Sequence, residues 1–238
     1  MSLFRQRTAA YQLIDRAKAL ALAESWQDTA LPAKQWKGVQ ASLDAMRTTG
    51  TRPADIETLV ALLRTTKLTR GSLLEVGCSS GYMSELLDQA GFSFAYTGLD
   101  YSSAFIEFAQ RQYPERSFVL GDATSLALQD RSFDLVLSGS CLLHILDYAR
   151  AIQEAARVAR RYVLFSKTPV LHLTDTIYTR KTAYDVPMFE IQFNESELVE
   201  HFRAAGLAVV GVRAHAQMVL RELPEPIIYK DYLCRVET

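Results

Sequence analysis

The sequence predicts an α/β fold: a seven-stranded, mostly parallel sheet with an antiparallel last strand, helices on both faces, and an N-terminal helical cap. Three observations predict it. Seven short apolar runs are spaced through residues 71–238, and amphipathic helical segments lie between most of them. Such alternation marks βαβ units, whose crossovers make neighbouring strands parallel. The last two runs, by contrast, are joined by residues 214–226, which hold Pro224 and Pro226 and little helical pattern, so the last strand turns back antiparallel. Residues 1–70 carry helical spacing and no strand-like run, which sets them off as a cap on a domain of residues 71–238.

The chain opens with residues 3–24, a helix in which Leu3, Ala10, Leu13, Ile14, Ala17, Leu20 and Ala21 recur at helical spacing. A loop with Pro32 leads to a second helix over 34–47, stopped by Thr48-Thr49-Gly50-Thr51. Pro53 opens a third over 54–66, with Ile56, Leu59, Val60, Leu62 and Leu63 on its apolar side. The strand runs are 73–76, 94–99, 118–120, 135–137, 162–165, 207–212 and 227–234, and the helices between them are 81–90, 102–112, 147–160 and 195–205. No repeats or low-complexity tracts interrupt the series.

Composition narrows the class. Of 238 residues, 49% are hydrophobic, 22% charged and 10% aromatic, which excludes disordered, collagenous and disulfide-scaffold chains. Lys and Arg number 26 against 27 Asp and Glu, a balance that argues against a strongly basic nucleic-acid binder. The balance hides a split: residues 1–70 hold 11 basic and 6 acidic side chains, and the remainder 15 and 21. Three scattered cysteines, Cys78, Cys141 and Cys234, fit a reducing cytoplasm. Charges at Arg5, Arg7, Asp15, Arg16 and Lys18 break any signal-like run, and no uncharged apolar stretch reaches 18 residues. The expected compartment is the cytoplasm.

The most informative segment, LLEVGCSSGY from Leu73 to Tyr82, runs from a strand through a Gly-rich turn into a helix. Such a turn lets backbone approach a ligand, and the helix start favours negative charge. As a dinucleotide fingerprint G-x-G-x-x-G it is a poor match, with Ser79 at the middle glycine and Tyr82 at the last. As a nucleophile elbow G-x-S-x-G it matches literally, with Ser79 as nucleophile and Asp147 or Asp185 then His201 or His215 downstream. The elbow, however, follows several strands in hydrolases and needs an earlier oxyanion loop; here it follows the first strand.

A third reading extends well beyond the turn. LLEVGCSSGYMSELL resembles the first motif, E/D-x-G-x-G-x-G, of the class I S-adenosylmethionine-dependent methyltransferases, with Ser79 for the middle glycine. Gly98-Leu99-Asp100-Tyr101-Ser102 ends the second strand, with Asp100 19 residues past Gly81, where an acid can bind both hydroxyls of a ribose. Val119-Leu120-Gly121-Asp122-Ala123-Thr124 resembles the family's G-D-A motif, which implies that Asp122 accepts from an adenine amino group. Phe133-Asp134-Leu135-Val136 resembles its F-D-x-V motif, and Asn194-Glu195-Ser196-Glu197 opens the expected late helix. The series covers about residues 71–236. It implies a Rossmann-like sheet, S-adenosylmethionine as cofactor with S-adenosylhomocysteine as product, and a binding set of Glu75, Gly77, Cys78, Ser79, Gly81, Asp100, Tyr101, Asp122, Ala123, Ser138 and Gly139. Glu75 is expected to accept from loop N–H groups and from the ligand's ammonium. One departure is the family's Pro-Gly-Gly turn, replaced by Ala159-Arg160-Arg161-Tyr162.

The resemblance implies methyl transfer to a small molecule, most directly to a hydroxyl of a sugar, glycan or natural-product intermediate. The alternatives are an esterase using Ser79 and a non-catalytic S-adenosylmethionine-binding protein. His144, in Cys141-Leu142-Leu143-His144, resembles a histidine common in the family; it is either a general base or a packed ring that orders its loop. Ser138 and Ser140 are placed to touch the methionine part of the cofactor or the substrate. No residues have metal-ligand spacing. The acceptor side is expected from the N-terminal helices, with Trp26 and Trp36, and from residues 168–193, with His172, Tyr178, Arg180, Lys181, Tyr184, Asp185 and Glu190. The expected partner is the small-molecule acceptor, with no nucleic acid and no membrane; monomer and homodimer both fit. A basic cap suits an anionic acceptor, although solvated helix faces explain its charge as well.

Overall fold

The computed structural model describes residues 11–237. The elements begin with β1 (Gln12–Ile14), α1 (Arg16–Leu20), α2 (Leu31–Thr49) and α3 (Ala54–Thr65). The alternating series follows: β2 (Arg70–Val76), α4 (Tyr82–Gln89), β3 (Ser93–Asp100), α5 (Ser103–Gln112), β4 (Ser117–Leu120), β5 (Phe133–Gly139) and α6 (Tyr148–Val158). The last part holds β6 (Ala159–Leu171), β7 (Ile177–Ala183), β8 (Val186–Asn194), α7 (Glu195–Ala204), β9 (Leu207–Met218) and β10 (Ile227–Val236).

The seven expected strands lie side by side in the order β4-β3-β2-β5-β6-β10-β9. The first five are parallel, and β10 runs antiparallel to both β6 and β9. Period-2 alternation divides their side chains between two cores. Leu74, Val136, Val163, Phe165 and Tyr232 face one core with Ile152 of α6 and Phe202 of α7. Leu73, Leu135, Leu137, Leu164 and Leu233 face the other, with Leu59 and Leu63 of α3 and Leu86 of α4. The central strands are therefore buried on both sides, as parallel strands covered by helices must be. α3 is sewn to this sheet: Leu62 packs against Gly211 of β9, and Thr58 donates to the buried Asp231 of β10.

Among the described residues the strands number ten rather than seven. β7 and β8 form a hairpin over Ile177–Asn194; β8 joins the end of β6 through Val170↔Phe193 and Leu171↔Asn194, and β1 pairs antiparallel with β7. The expected helix over 3–24 is corrected accordingly. Residues 1–10 lie outside the described residues, 12–14 are strand, and only Arg16–Leu20 is α-helical before the short 3-10 turn Ser25–Gln27. Three residues take strand geometry because Gln12↔Arg180 and Ile14↔Tyr178 complete the free edge of β7, a tertiary partner that overrides local spacing. Pro32 sits in the first turn of α2 instead of a preceding loop, where its missing N–H costs nothing. Without the Pro-Gly-Gly turn, α6 passes directly into β6 at Ala159. Among the described residues no helix is long and apolar enough to cross a membrane.

Candidate active site

The carboxyl ends of β2, β3, β4 and β5 open into a cavity of about 500 Å³. It lies where chain order reverses across the sheet, since β2 has β3 on one side and β5 on the other, the position at which open α/β sheets bind ligands. The Gly-rich turn is held by internal hydrogen bonds. Gly77 and Cys78 donate their N–H groups to the Leu99 carbonyl at 2.7 and 3.0 Å, and Gly81 donates to Cys78 at 2.9 Å. Asp100, 6% exposed, accepts from Ser79 N–H at 2.9 Å through Oδ2 and from Ser102 N–H at 3.0 Å through Oδ1. Burial raises the carboxyl pKa of Asp100, and these two backbone donors oppose the rise.

Glu75 differs from expectation in its donor. No loop N–H reaches it; Oε2 accepts from the Tyr96 hydroxyl, because the Gly77, Cys78 and Ser79 amides are spent on Leu99 and Asp100. Burial pushes its carboxyl up to about 8. Oε1 faces Gly139, where a Cβ would stand 3.3 Å from it, so the bare glycine leaves this oxygen open. Asp122, at the end of β4, uses Oδ1 to hold Thr124 N–H and Oγ1, both at 2.8 Å.

Of the residues singled out in the sequence, Glu75, Gly77, Ser79, Asp100, Tyr101, Asp122, Ala123, Gly139, Ser140 and His144 line the cavity. Cys78, Gly81 and Ser138 do not. Cys78 is buried behind the turn, where its sulfur would lie 2.8 Å from a Cβ on Gly98, and Ser138 is buried in β5. Gly81 caps α4 at φ +77°, and a Cβ there would meet the Phe118 ring at 2.7 Å. Its role is conformational, so Gly81→Ala is expected to lose about 1–2 kcal/mol or more of stability in urea unfolding, from the left-handed backbone alone. An unchanged midpoint would refute that role. Asp134 sits at the opposite end of its strand and ties Ser72 of β2 to Arg160 of β6.

No catalytic triad forms around Ser79. His201 packs on Tyr148, and His215 is buried 3.5 Å from Asp231; neither lines the cavity. His144 does line it. Its Nδ1 lies 2.8 Å from the Phe189 carbonyl oxygen, which requires Nδ1–H as donor and a neutral Nε2, and burial pushes the imidazole down to about 4. Trp26 packs on His144 with ring centroids 5.0 Å apart.

The second half of the cavity is built by Trp26, Gln35 of α2, Tyr82 of α4, Lys167 of β6, and Lys181, Tyr184 and Glu190 of the β7–β8 hairpin. Lys167 is paired with Asp55 of α3 at 2.6 Å. Burial would lower its ammonium pKa, but Tyr82 and Asp55 more than offset this, and it stays charged. Gln35, Tyr82 and Lys167 carry no sequence signal. Tyr82 reads as a helix start, and Lys167 lies past the apolar run of β6 in a left-handed conformation, φ +55°, that no pattern discloses.

Residues 74–165 match the family described as "Methyltransferase domain". Over those residues the chain resembles the class I S-adenosylmethionine-dependent methyltransferases. The chain is 32% identical over 89 residues to a demethylmenaquinone methyltransferase of Thermotoga maritima, covering 37% of this chain and 39% of that protein. It is 37% identical over 101 residues to phthiotriol/phenolphthiotriol dimycocerosates methyltransferase 1 of Mycobacterium ulcerans, covering 40% and 36%. The chain thus spans under half the length of these curated relatives. In fold, the Burkholderia thailandensis 1,6-didemethyltoxoflavin-N1-methyltransferase, solved with 1,6-didemethyltoxoflavin and S-adenosylhomocysteine, covers all of both chains with a TM-score of 0.62 at 18% identity.

Proposed function

We propose that this protein transfers a methyl group from S-adenosylmethionine to a small-molecule acceptor, most directly to a hydroxyl, in the cytoplasm. One observation carries the reading: a single cavity joins the strand ends bearing Glu75, Asp100 and Asp122 to an aromatic-walled half bearing Trp26, Tyr82 and Tyr184. The donor set fits the cofactor. Glu75 has an open oxygen for an ammonium, Asp100 keeps lone pairs for ribose hydroxyls beyond its two backbone donors, and Gly139 leaves the space beside Glu75 free of a Cβ. S-adenosylmethionine brings an electrophilic methyl and its own leaving group, so the chain's task is positioning and exclusion of water. His144, neutral and desolvated, offers a hydrogen-bonding wall beside the acceptor half; a general base works best with a pKa near the operating pH.

The test is calorimetry with S-adenosylhomocysteine. Binding is expected, and absence of binding at millimolar ligand would end the reading. Glu75 supplies a second readout. With its carboxyl at about 8, it is protonated at pH 7 before binding and ionised once an ammonium faces it. The binding enthalpy at pH 7 should therefore vary with buffer ionisation enthalpy, with a slope approaching one proton released, and the slope should fall as pH rises past 8. A zero slope at pH 7 would remove Glu75 from the ammonium site.

A further inference from the structure

Three residues that line this cavity each hold a buried polar atom with no hydrogen-bond partner among the described residues: Trp26 Nε1, Gln35 Oε1 and Glu190 Oε2. All three lie in the acceptor half, outside the Glu75–Asp100–Asp122 floor. A buried donor or acceptor left unpaired costs about 1–3 kcal/mol, so polar groups of this kind are paired in most proteins. Glu190 is the most demanding of them. It is 2% exposed, on a strand whose neighbours Phe189 and Ile191 alternate into the apolar core, and Lys181 takes up only Oε1.

The cations of the cavity point the same way. Lys181 is neutralised by Glu190, Lys167 by Asp55, and Lys34 above them by Asp185. Each ammonium near the acceptor already has its carboxylate. Arg5 and Arg7, which contribute to the basic surplus of residues 1–70, lie outside the described residues. Beside the Tyr82 and Tyr184 hydroxyls and His144, the unpaired polar atoms in this half are a carboxylate oxygen, an amide oxygen and one indole N–H.

We propose that Glu190 Oε2 is the specificity-determining contact for the methyl acceptor, taking a hydrogen bond from a neutral hydroxyl or amino group, with Gln35 and Trp26 completing the recognition of an uncharged molecule that both donates and accepts. This rests on the methyltransferase reading and adds the acceptor's class: a hydrogen-bond donor, not a carboxylate or phosphate. An anionic group would approach Oε2 and the Gln35 oxygen where each lining ammonium among the described residues is already paired, and like charge in a desolvated site is a strong selector against a ligand.

The experiment uses the full chain saturated with S-adenosylhomocysteine and three matched probes: catechol, 2-aminophenol and phthalate. Binding is read from the fluorescence of Trp26 in a Trp36→Phe background, since Trp36 packs away from the cavity on Phe108 and Tyr113. Catechol and 2-aminophenol are expected to bind at about 10 mM or tighter, as fragments of that size do, and phthalate at least roughly tenfold more weakly. In Glu190→Gln the preference should shrink to about threefold or less. Because that variant leaves the Lys181 charge buried, Glu190→Gln/Lys181→Met, which removes both, is measured beside it and should lose the preference likewise. Phthalate binding as tightly as catechol, no probe binding at all, or an undiminished preference in variants that still bind S-adenosylhomocysteine would each overturn the assignment. Failure of the unsubstituted protein to bind S-adenosylhomocysteine would instead overturn the methyltransferase reading beneath it.

Discussion

Asp100→Ala is expected to weaken S-adenosylhomocysteine at least hundredfold while the protein remains folded. Each charge-assisted hydrogen bond that a ribose hydroxyl gives a desolvated carboxylate contributes about 1.5–3 kcal/mol, and two of them together exceed the 2.7 kcal/mol or so that a hundredfold requires. The same carboxylate holds the Gly-rich turn through Ser79 N–H and the start of α5 through Ser102 N–H, so its loss also frees the loop beneath the ligand. Asp100→Asn, which keeps one oxygen, should fall between. Calorimetry decides the matter: a dissociation constant within threefold or so of the unsubstituted protein would show that Asp100 organises the turn and touches no ligand.

The largest loss of stability is expected from Asp231→Ala. This side chain is wholly buried on β10 and accepts from Ser166 Oγ at 2.8 Å, from Lys167 N–H at 2.8 Å, and from Thr58 of α3. Removing it strands three donors in the interior at once, and breaking a buried hydrogen-bonded charge costs about 3–5 kcal/mol. Urea unfolding should show a midpoint lowered accordingly, and Asp231→Asn, which still accepts, should lose about half as much or less. A loss below about 1 kcal/mol would mean that water or a shifted side chain replaces the carboxylate. Because Asp231 also fixes the backbone at Lys167, the variant should disturb the acceptor half before the Asp100 side of the cavity.

What the sequence discloses divides by the range of the interactions involved. The central strands and helices are legible because their burial pattern is local: Leu73 and Leu74 face opposite cores whatever lies beyond, and α3 shows its apolar stripe in Ile56, Leu59, Val60 and Leu63. β1 is illegible because three residues with little burial take their conformation from a hairpin edge 164 residues later, at Ile14↔Tyr178 and its neighbours. β7 and β8 were hidden for another reason: Lys181, Glu190 and Gln192 put polar groups on a buried face, which breaks the alternation that marks a strand. The cavity followed the same rule. Its Glu75–Asp100–Asp122 floor sits at the ends of motif-bearing strands, whereas Gln35, Tyr82 and Lys167 meet there only through folding.

The seam between α3 and the last two strands has a consequence for how the chain is made. Residues 54–65 pack against strands that begin at Leu207 and Ile227, so Leu59 and Leu63 leave the ribosome long before their partners exist. At roughly 5–20 residues per second, the wait is on the order of 10–30 s. During it the apolar stripe of α3 has only earlier elements such as β2 and α4 to pack on. Only when β10 emerges does Asp231 meet Thr58 and lock α3 to the sheet.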